Sequence, residues 1–247
     1  MKSKYLVVIA SALLAFPLLG SAAGGSEHLM HSGANVNDTA SLQRGAQLYM
    51  NYCLGCHSTD FMRYQRLADD LELSEDLVME NLVFTDAKIG DPISNAMSEE
   101  DAARWFGKAP PDLSLVGRSR GPDWIYTYLM SFYRDDTGAW NNTLLANAAM
   151  PHVLWQLQGI QEPVYATHTD ESGYESRVVE SLELVEPGAL SPEAYSDAMR
   201  DLAAYLDYVG EPVQLKRKGI GVWVMLYLAI FALIAYLLKV EFWRDVH

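Results

Sequence analysis

The sequence predicts a mainly α-helical globular domain, interrupted by a small β-hairpin and followed by one C-terminal transmembrane helix. Three observations predict it. Apolar residues recur at helical spacing in segments from Ala40 to Val209. Between Glu162 and Pro187 the composition shifts, and Val164-Tyr165-Ala166 and Val178-Val179 flank Ser172-Gly173 as the arms of a hairpin. From Gly219 to Leu238, 20 successive residues carry no charge, and about 20 residues of helix cross a bilayer core.

Residues 1–23 read as a cleaved signal peptide: Lys2 and Lys4, an apolar run from Tyr5 to Leu19, then small residues through Ala23. Residues 24–38 are small and polar, with His28 and His31, and are expected to form a flexible lead-in. The globular domain is expected over residues 39–212. Its first helix spans about 40–52, with Leu42, Ala46 and Tyr49 on one face. Gly45 interrupts that face. A glycine inside a helix costs about 1 kcal/mol against alanine, so it marks a close crossing. The expected partner is the helix from Pro192 to Val209, with Ser191 as N-cap and Gly210 and Pro212 as stops. Three shorter helices lie between. One opens at Ser74 and runs to about Phe84. One opens at the Ser98-Glu99-Glu100-Asp101 capping box, and one runs from Pro122 to about Tyr133.

The last element spans residues 213–247, with the membrane segment at about 219–238. Trp223, Tyr227, Tyr236, Phe242 and Trp243 lie toward its ends as interfacial aromatics do. Lys216-Arg217-Lys218 precede it, and Lys239 and Arg244 follow. Flanking charge alone would keep the globular part in the cytoplasm. The signal peptide directs it outward and takes precedence, because long translocated domains respond weakly to such charge. The expectation is a single-pass protein of a bacterial inner membrane, with a periplasmic domain and a short cytoplasmic tail.

The chain of 247 residues carries 18 bases against 32 acids, a formal charge of −14. Without Lys2 and Lys4 the mature chain stands near −16. That balance disfavours a nucleic-acid binder and favours a basic partner. Acids gather at Asp69, Asp70, Glu72, Glu75 and Asp76, and again between Asp170 and Glu186 around Arg177.

The two cysteines of the chain lie in Cys53-Leu54-Gly55-Cys56-His57. Cys-x-x-Cys-His is the attachment signature of a c-type haem. Two thiols add to the porphyrin vinyls, and the next residue sets an imidazole under the iron. A structural zinc site needs four ligands, and the remaining histidines are scattered. A thioredoxin-like dithiol needs a βαβ frame, and this region reads as helical. The sixth ligand decides the chemistry, since a closed His/Met pair suits electron transfer and an open site suits gas or peroxide. Met50 and Met62 lie too near the proximal turn. Met97, Met150 and His152 remain, and Pro151 stiffens the backbone beside Met150.

From Gly45 onward the chain resembles the cytochrome c1 family, the haem subunits of ubiquinol–cytochrome c reductase (cytochrome bc1) complexes. The resemblance rests on Gly45-Ala46-Gln47-Leu48-Tyr49 before the haem motif, on Trp105-Phe106-Gly107-Lys108-Ala109-Pro110-Pro111-Asp112-Leu113, on Arg118-Ser119-Arg120-Gly121, and on the tail from Tyr236 to His247. It implies a class I-like c-type cytochrome fold and one covalent haem c on Cys53 and Cys56. It implies His57 as proximal ligand and Met150 as distal ligand. Arg120 would face a haem propionate with Tyr126 as a second partner, and Pro110 and Pro111 would line the haem edge. Implied partners are cytochrome b, a Rieske iron–sulfur protein, a cytochrome c acceptor and the membrane, in a dimeric complex without nucleic acid. The protein would move electrons and make no bonds itself. The alternatives are a free-standing membrane-anchored shuttle and a haem sensor or enzyme with an open sixth site. Certain relatives carry an extra cysteine pair that this chain lacks. Residues 159–187 match no family motif.

Overall fold

The computed structural model describes residues 29–169 and 175–246. The expected signal peptide, His28, the Ser172-Gly173 turn, Asp170, Glu171 and His247 lie outside these residues. Among the described residues the order is α1 (Thr39–Tyr52), β1 (Thr59–Arg63), α2 (Tyr64–Asp70), α3 (Glu75–Asn81), β2 (Pro92–Ile93), α4 (Glu99–Phe106), α5 (Val116–Arg120) and α6 (Pro122–Met130). There follow β3 (Phe132–Arg134), β4 (Trp140–Asn142), α7 (Trp155–Gln158), β5 (Gly159–Thr169), β6 (Glu175–Pro187), α8 (Pro192–Gly210) and α9 (Gln214–Phe242).

The core is built on the crossing of α1 over α8. A Cβ at Gly45 would lie 2.2 Å from the Asp201 carbonyl and 2.7 Å from Tyr205 Cβ, so only glycine lets the two backbones meet. The crossing is also polar. Buried Asp201 accepts from Ser41 Oγ at 2.6 Å and from Arg44 Nε at 2.5 Å. Leu42, Ala46 and Tyr49 of α1 face Tyr195, Met199, Leu202, Tyr205 and Leu206 of α8 within one apolar cluster. Tyrosine supplies much of this core; the Tyr49, Tyr195 and Tyr208 hydroxyls find acceptors, while those of Tyr64 and Tyr205 are buried without a partner among the described residues. Tyr195 donates to the Leu129 carbonyl at 3.0 Å and Tyr208 to Asp70 Oδ2 at 3.0 Å. Burial without a partner would cost roughly 1–3 kcal/mol for each such group.

Several elements differ from expectation. Residues 29–38 are docked rather than loose. Val36 is buried, Ser32 donates through N and Oγ to Asp123 Oδ1, and Met30 N donates to Thr127 Oγ1. The helix opened by Ser74 stops at Asn81, and the one opened by Pro122 stops at Met130. The second stops early because Asn142 Nδ2 caps the Tyr128 carbonyl and Thr143 N pairs with the Ser131 carbonyl, which turns the chain into β3. The hairpin is larger than its composition suggested, with 11 residues in β5 and 13 in β6, joined antiparallel with two register shifts.

The apolar helix α9 spans Gln214–Phe242, and its membrane-competent part covers 24 residues from Gly219 to Phe242. No residue of that stretch is buried. In water such a surface would be strongly unfavourable, so it fits a single-pass membrane anchor.

Candidate haem site

The Cys53–His57 segment continues the helical turn of α1. Cys53 N and Leu54 N both donate to the Tyr49 carbonyl, and Cys56 N and His57 N donate to the Cys53 carbonyl at 3.0 and 2.8 Å. Tyr49 Oη then donates to the His57 carbonyl at 2.6 Å. Cys53 and Cys56 are free thiols, with Cys53 buried and Cys56 partly exposed. Burial pushes the Cys53 thiol up to about 12.

The His57 ring is oriented by the loop between α4 and α5. Its Nδ1 lies 2.7 Å from the Pro111 carbonyl oxygen. A carbonyl only accepts, so Nδ1 carries the proton and Nε2 keeps its lone pair. This is the tautomer a metal ligand needs. Burial lowers the His57 pKa, partly offset by the Pro111 hydrogen bond, and so favours the neutral ring.

Two further segments close around this loop. Leu113 N donates to the Ser58 carbonyl at 2.8 Å, and Asp112 accepts from Asp60 N at 2.9 Å and Ser114 N at 2.8 Å. Asn95 Nδ2 donates to the Cys56 carbonyl at 2.7 Å, and Asn95 N donates to Ser58 Oγ. Met97 N donates to Asn95 Oδ1. A cavity of about 260 Å³ lies here, lined by Cys56, Asn95, Met97, Ala102, Pro110 and Asp112 among others. Met97 is thus tied to the backbone that carries His57.

Met150 sits elsewhere, on the irregular segment between β4 and α7, half-buried against the core cluster. His152 is 2 % exposed, stacked on Phe132 at 4.9 Å with Trp140 edge-on at 5.1 Å. Neither of its ring nitrogens has a hydrogen-bond partner among the described residues. Burial lowers its pKa to about 4, which keeps it neutral. Gln158, near it but outside hydrogen-bonding geometry, opposes this weakly.

Arg120 is exposed and lies over the Trp124 ring at 5.0 Å. Among the described residues it has no carboxylate partner, whereas Arg118 pairs with Glu211. The Tyr126 hydroxyl shares a 2.8 Å hydrogen bond with Ser196 Oγ. Of the acidic stretches, Asp70 is engaged with Arg66 and Tyr208, while Asp69, Glu72, Glu75 and Asp76 are exposed. Sequence reading missed Asn95 and the Tyr49 hydroxyl. A lone asparagine has no sequence signal, and Tyr49 read only as part of an apolar stripe.

Comparison with known proteins identifies the family. The Cytochrome C1 family profile matches residues 30–246. A cytochrome c1 of Allochromatium vinosum is 49% identical over 98% of this chain and 99% of its own length. The chain belongs to the cytochrome c1 family. A protein of Nitrosomonas europaea named ammonia monooxygenase gamma subunit is 39% identical over 96% of both chains. A cytochrome b/c1 of Bradyrhizobium diazoefficiens is 26% identical over 85% of this chain and 34% of its own length.

Members of the cytochrome c1 family are the electron-transfer haem subunits of cytochrome bc1 complexes and carry a covalent haem c. The residues fit that group. Both thiols are free, His57 presents a lone-pair nitrogen, and Arg120 offers a guanidinium without a carboxylate partner among the described residues.

Proposed function

We propose that this protein accepts one electron from a Rieske-type iron–sulfur protein and passes it to a cytochrome c, as a subunit assembled with cytochrome b. The observation that carries the reading is the His57–Pro111 hydrogen bond, which leaves the Nε2 lone pair free to bind iron. When bound, haem c supplies one-electron chemistry between ferric and ferrous iron. Cys53 and Cys56 would hold it covalently through their sulfurs, and His57 Nε2 and the Met150 sulfur would be the ligands to its iron. Met97 is a poorer candidate because it is tied to the His57 backbone through Asn95. His152 is a poorer one because its ring is committed to Phe132 and Trp140.

Arg120 holds a propionate, for which a planar guanidinium fork is suited. Tyr126 and the Pro110-Pro111 edge bound the same group. A closed His/Met pair keeps the site to electron transfer rather than ligand activation. Quinol oxidation takes place on cytochrome b, against which α9 packs. The globular domain lies in the periplasm, on residues 39–212, after removal of residues 1–23. The complex is a dimer.

The test is gentle detergent purification of the tagged protein from its own membranes. Co-purification of b-type haem and a Rieske signal in fixed proportion is the expected result. Recovery of c-type haem alone, under conditions that keep such complexes intact, would favour the free-standing shuttle.

A further inference from the structure

Lys216, Arg217 and Lys218 stand at the start of α9, directly before Gly219, where the 24-residue apolar stretch begins. With that stretch in a bilayer, the triplet sits at the level of the lipid headgroups. A fourth base comes from the globular domain. Glu211 has a side chain only 15% exposed and accepts both from Arg118 of α5 and, at 2.7 Å, from Arg217 Nε. At this junction the sequence sets Arg118, Lys216, Arg217 and Lys218 against Asp207 and Glu211, an excess of two bases. Lys216 is exposed and has no ion pair among the described residues.

The other end of the span is balanced. Lys239 and Arg244 stand against Glu241 and Asp245, and Arg244 pairs with both acids, at 2.9 and 3.7 Å. The excess of positive charge is thus on the domain side of the membrane, against the usual bias of membrane proteins. It stands out in a chain of net charge −14. Neither composition nor topology asks for a basic collar at this place.

We propose that this collar binds the phosphodiester headgroup of an anionic phospholipid in the leaflet facing the globular domain. The proposal rests on reading α9 as the membrane anchor. Its position at the edge of the apolar stretch favours a lipid over an acidic protein. Basic residues beside a membrane span gain from a negative surface within a Debye length. The Arg118–Glu211–Arg217 bridge ties the collar to α5, which also carries Arg120, so headgroup binding would brace the haem domain against the membrane.

The experiment uses the full-length, haem-loaded protein reconstituted into phosphatidylcholine nanodiscs with or without phosphatidylglycerol. Lipid retained after detergent extraction is read by native mass spectrometry for the wild type and for K216Q/K218Q. Wild type is expected to retain phosphatidylglycerol several-fold over its share in the disc, with the enrichment lost in the variant and reduced by salt in the wild type. Equal retention by both proteins overturns the proposal. So does loss of partner-subunit binding in the variant without any lipid enrichment in the wild type, which would assign the collar to an acidic protein. Displacement of the lipid by inorganic phosphate at equal concentration would assign it to free anions instead. Resistance of both proteins to carbonate extraction checks the anchor reading separately, and the c-type haem spectrum checks folding.

Discussion

At the scale of single residues, one proton matters most. The Pro111 carbonyl can only accept, so His57 Nδ1 must donate, and Nε2, the nitrogen proposed to bind iron, is left bare by geometry. The proposed second ligand is Met150. Replacing Met150 with leucine removes the thioether while keeping an apolar side chain of similar size. The expected outcome is carbon monoxide binding to the reduced protein and a fall in reduction potential on the order of 0.1–0.3 V, a fraction of the ~0.8 V that axial ligation commands. Difference spectra and potentiometry check this. An unchanged potential with no carbon monoxide response would remove Met150 from the iron.

At the scale of elements, the α1–α8 crossing and the docked N-terminal segment carry separate predictions. A Gly-to-Ala change inside a helix ordinarily gains about 1 kcal/mol. At Gly45 the sign should reverse, because the new methyl would meet the Asp201 carbonyl at 2.2 Å. A net loss of about 1–3 kcal/mol is expected, as for other overpacked contacts, measured by urea denaturation. Residues 29–38 are held through Asp123. Partial burial pulls its pKa up, but hydrogen bonds from Ser32 and His31 together pull it down further, so the net value lies below the usual aspartate. A depressed carboxylate contributes stability that is present above its unfolded pKa, about 3.9, and is lost as pH falls through the folded value. Amide hydrogen exchange of residues 30–36 should therefore accelerate below about pH 4, and D123N should show the same fast exchange at neutral pH. Protection that persists in D123N would assign the docking to Val36 and its apolar neighbours.

At the scale of the whole molecule, charge is distributed unevenly. The formal charge is −14 overall, yet the junction with α9 is basic. Exposed Asp69, Glu72, Glu75 and Asp76 form one acidic surface, and Glu175, Glu180 and Glu183 lie exposed along β6 as another. Steering by such surfaces raises association rates by one to three orders of magnitude and is screened by salt. Electron transfer from the complex to a basic cytochrome c should slow by about tenfold between low and high ionic strength. Stopped-flow reduction at graded salt checks this, and charge reversal at Asp69, Glu72 and Asp76 tells the two acidic surfaces apart.

The haem motif, the α1–α8 pairing, the capped starts of α3, α4 and α8 and the apolar anchor were all legible in the sequence. Each is written in local chemistry: a fixed spacing, a cap, a glycine at a crossing, an uninterrupted apolar run. The early end of α6 was not legible, because Asn142 stops it from 14 residues away. The docking of residues 29–38 was not legible either, since Asp123 lies more than 90 positions along the chain. Pro111, 54 residues from His57, was expected beside it only through the family resemblance, and the fold sets its carbonyl on Nδ1. The sequence by itself determined that a covalent-haem motif is present and which segment is apolar enough to span a membrane. Only the tertiary structure decided which backbone groups orient the side chains of that motif, because a backbone carbonyl is common to every residue and acquires its role from where the fold places it.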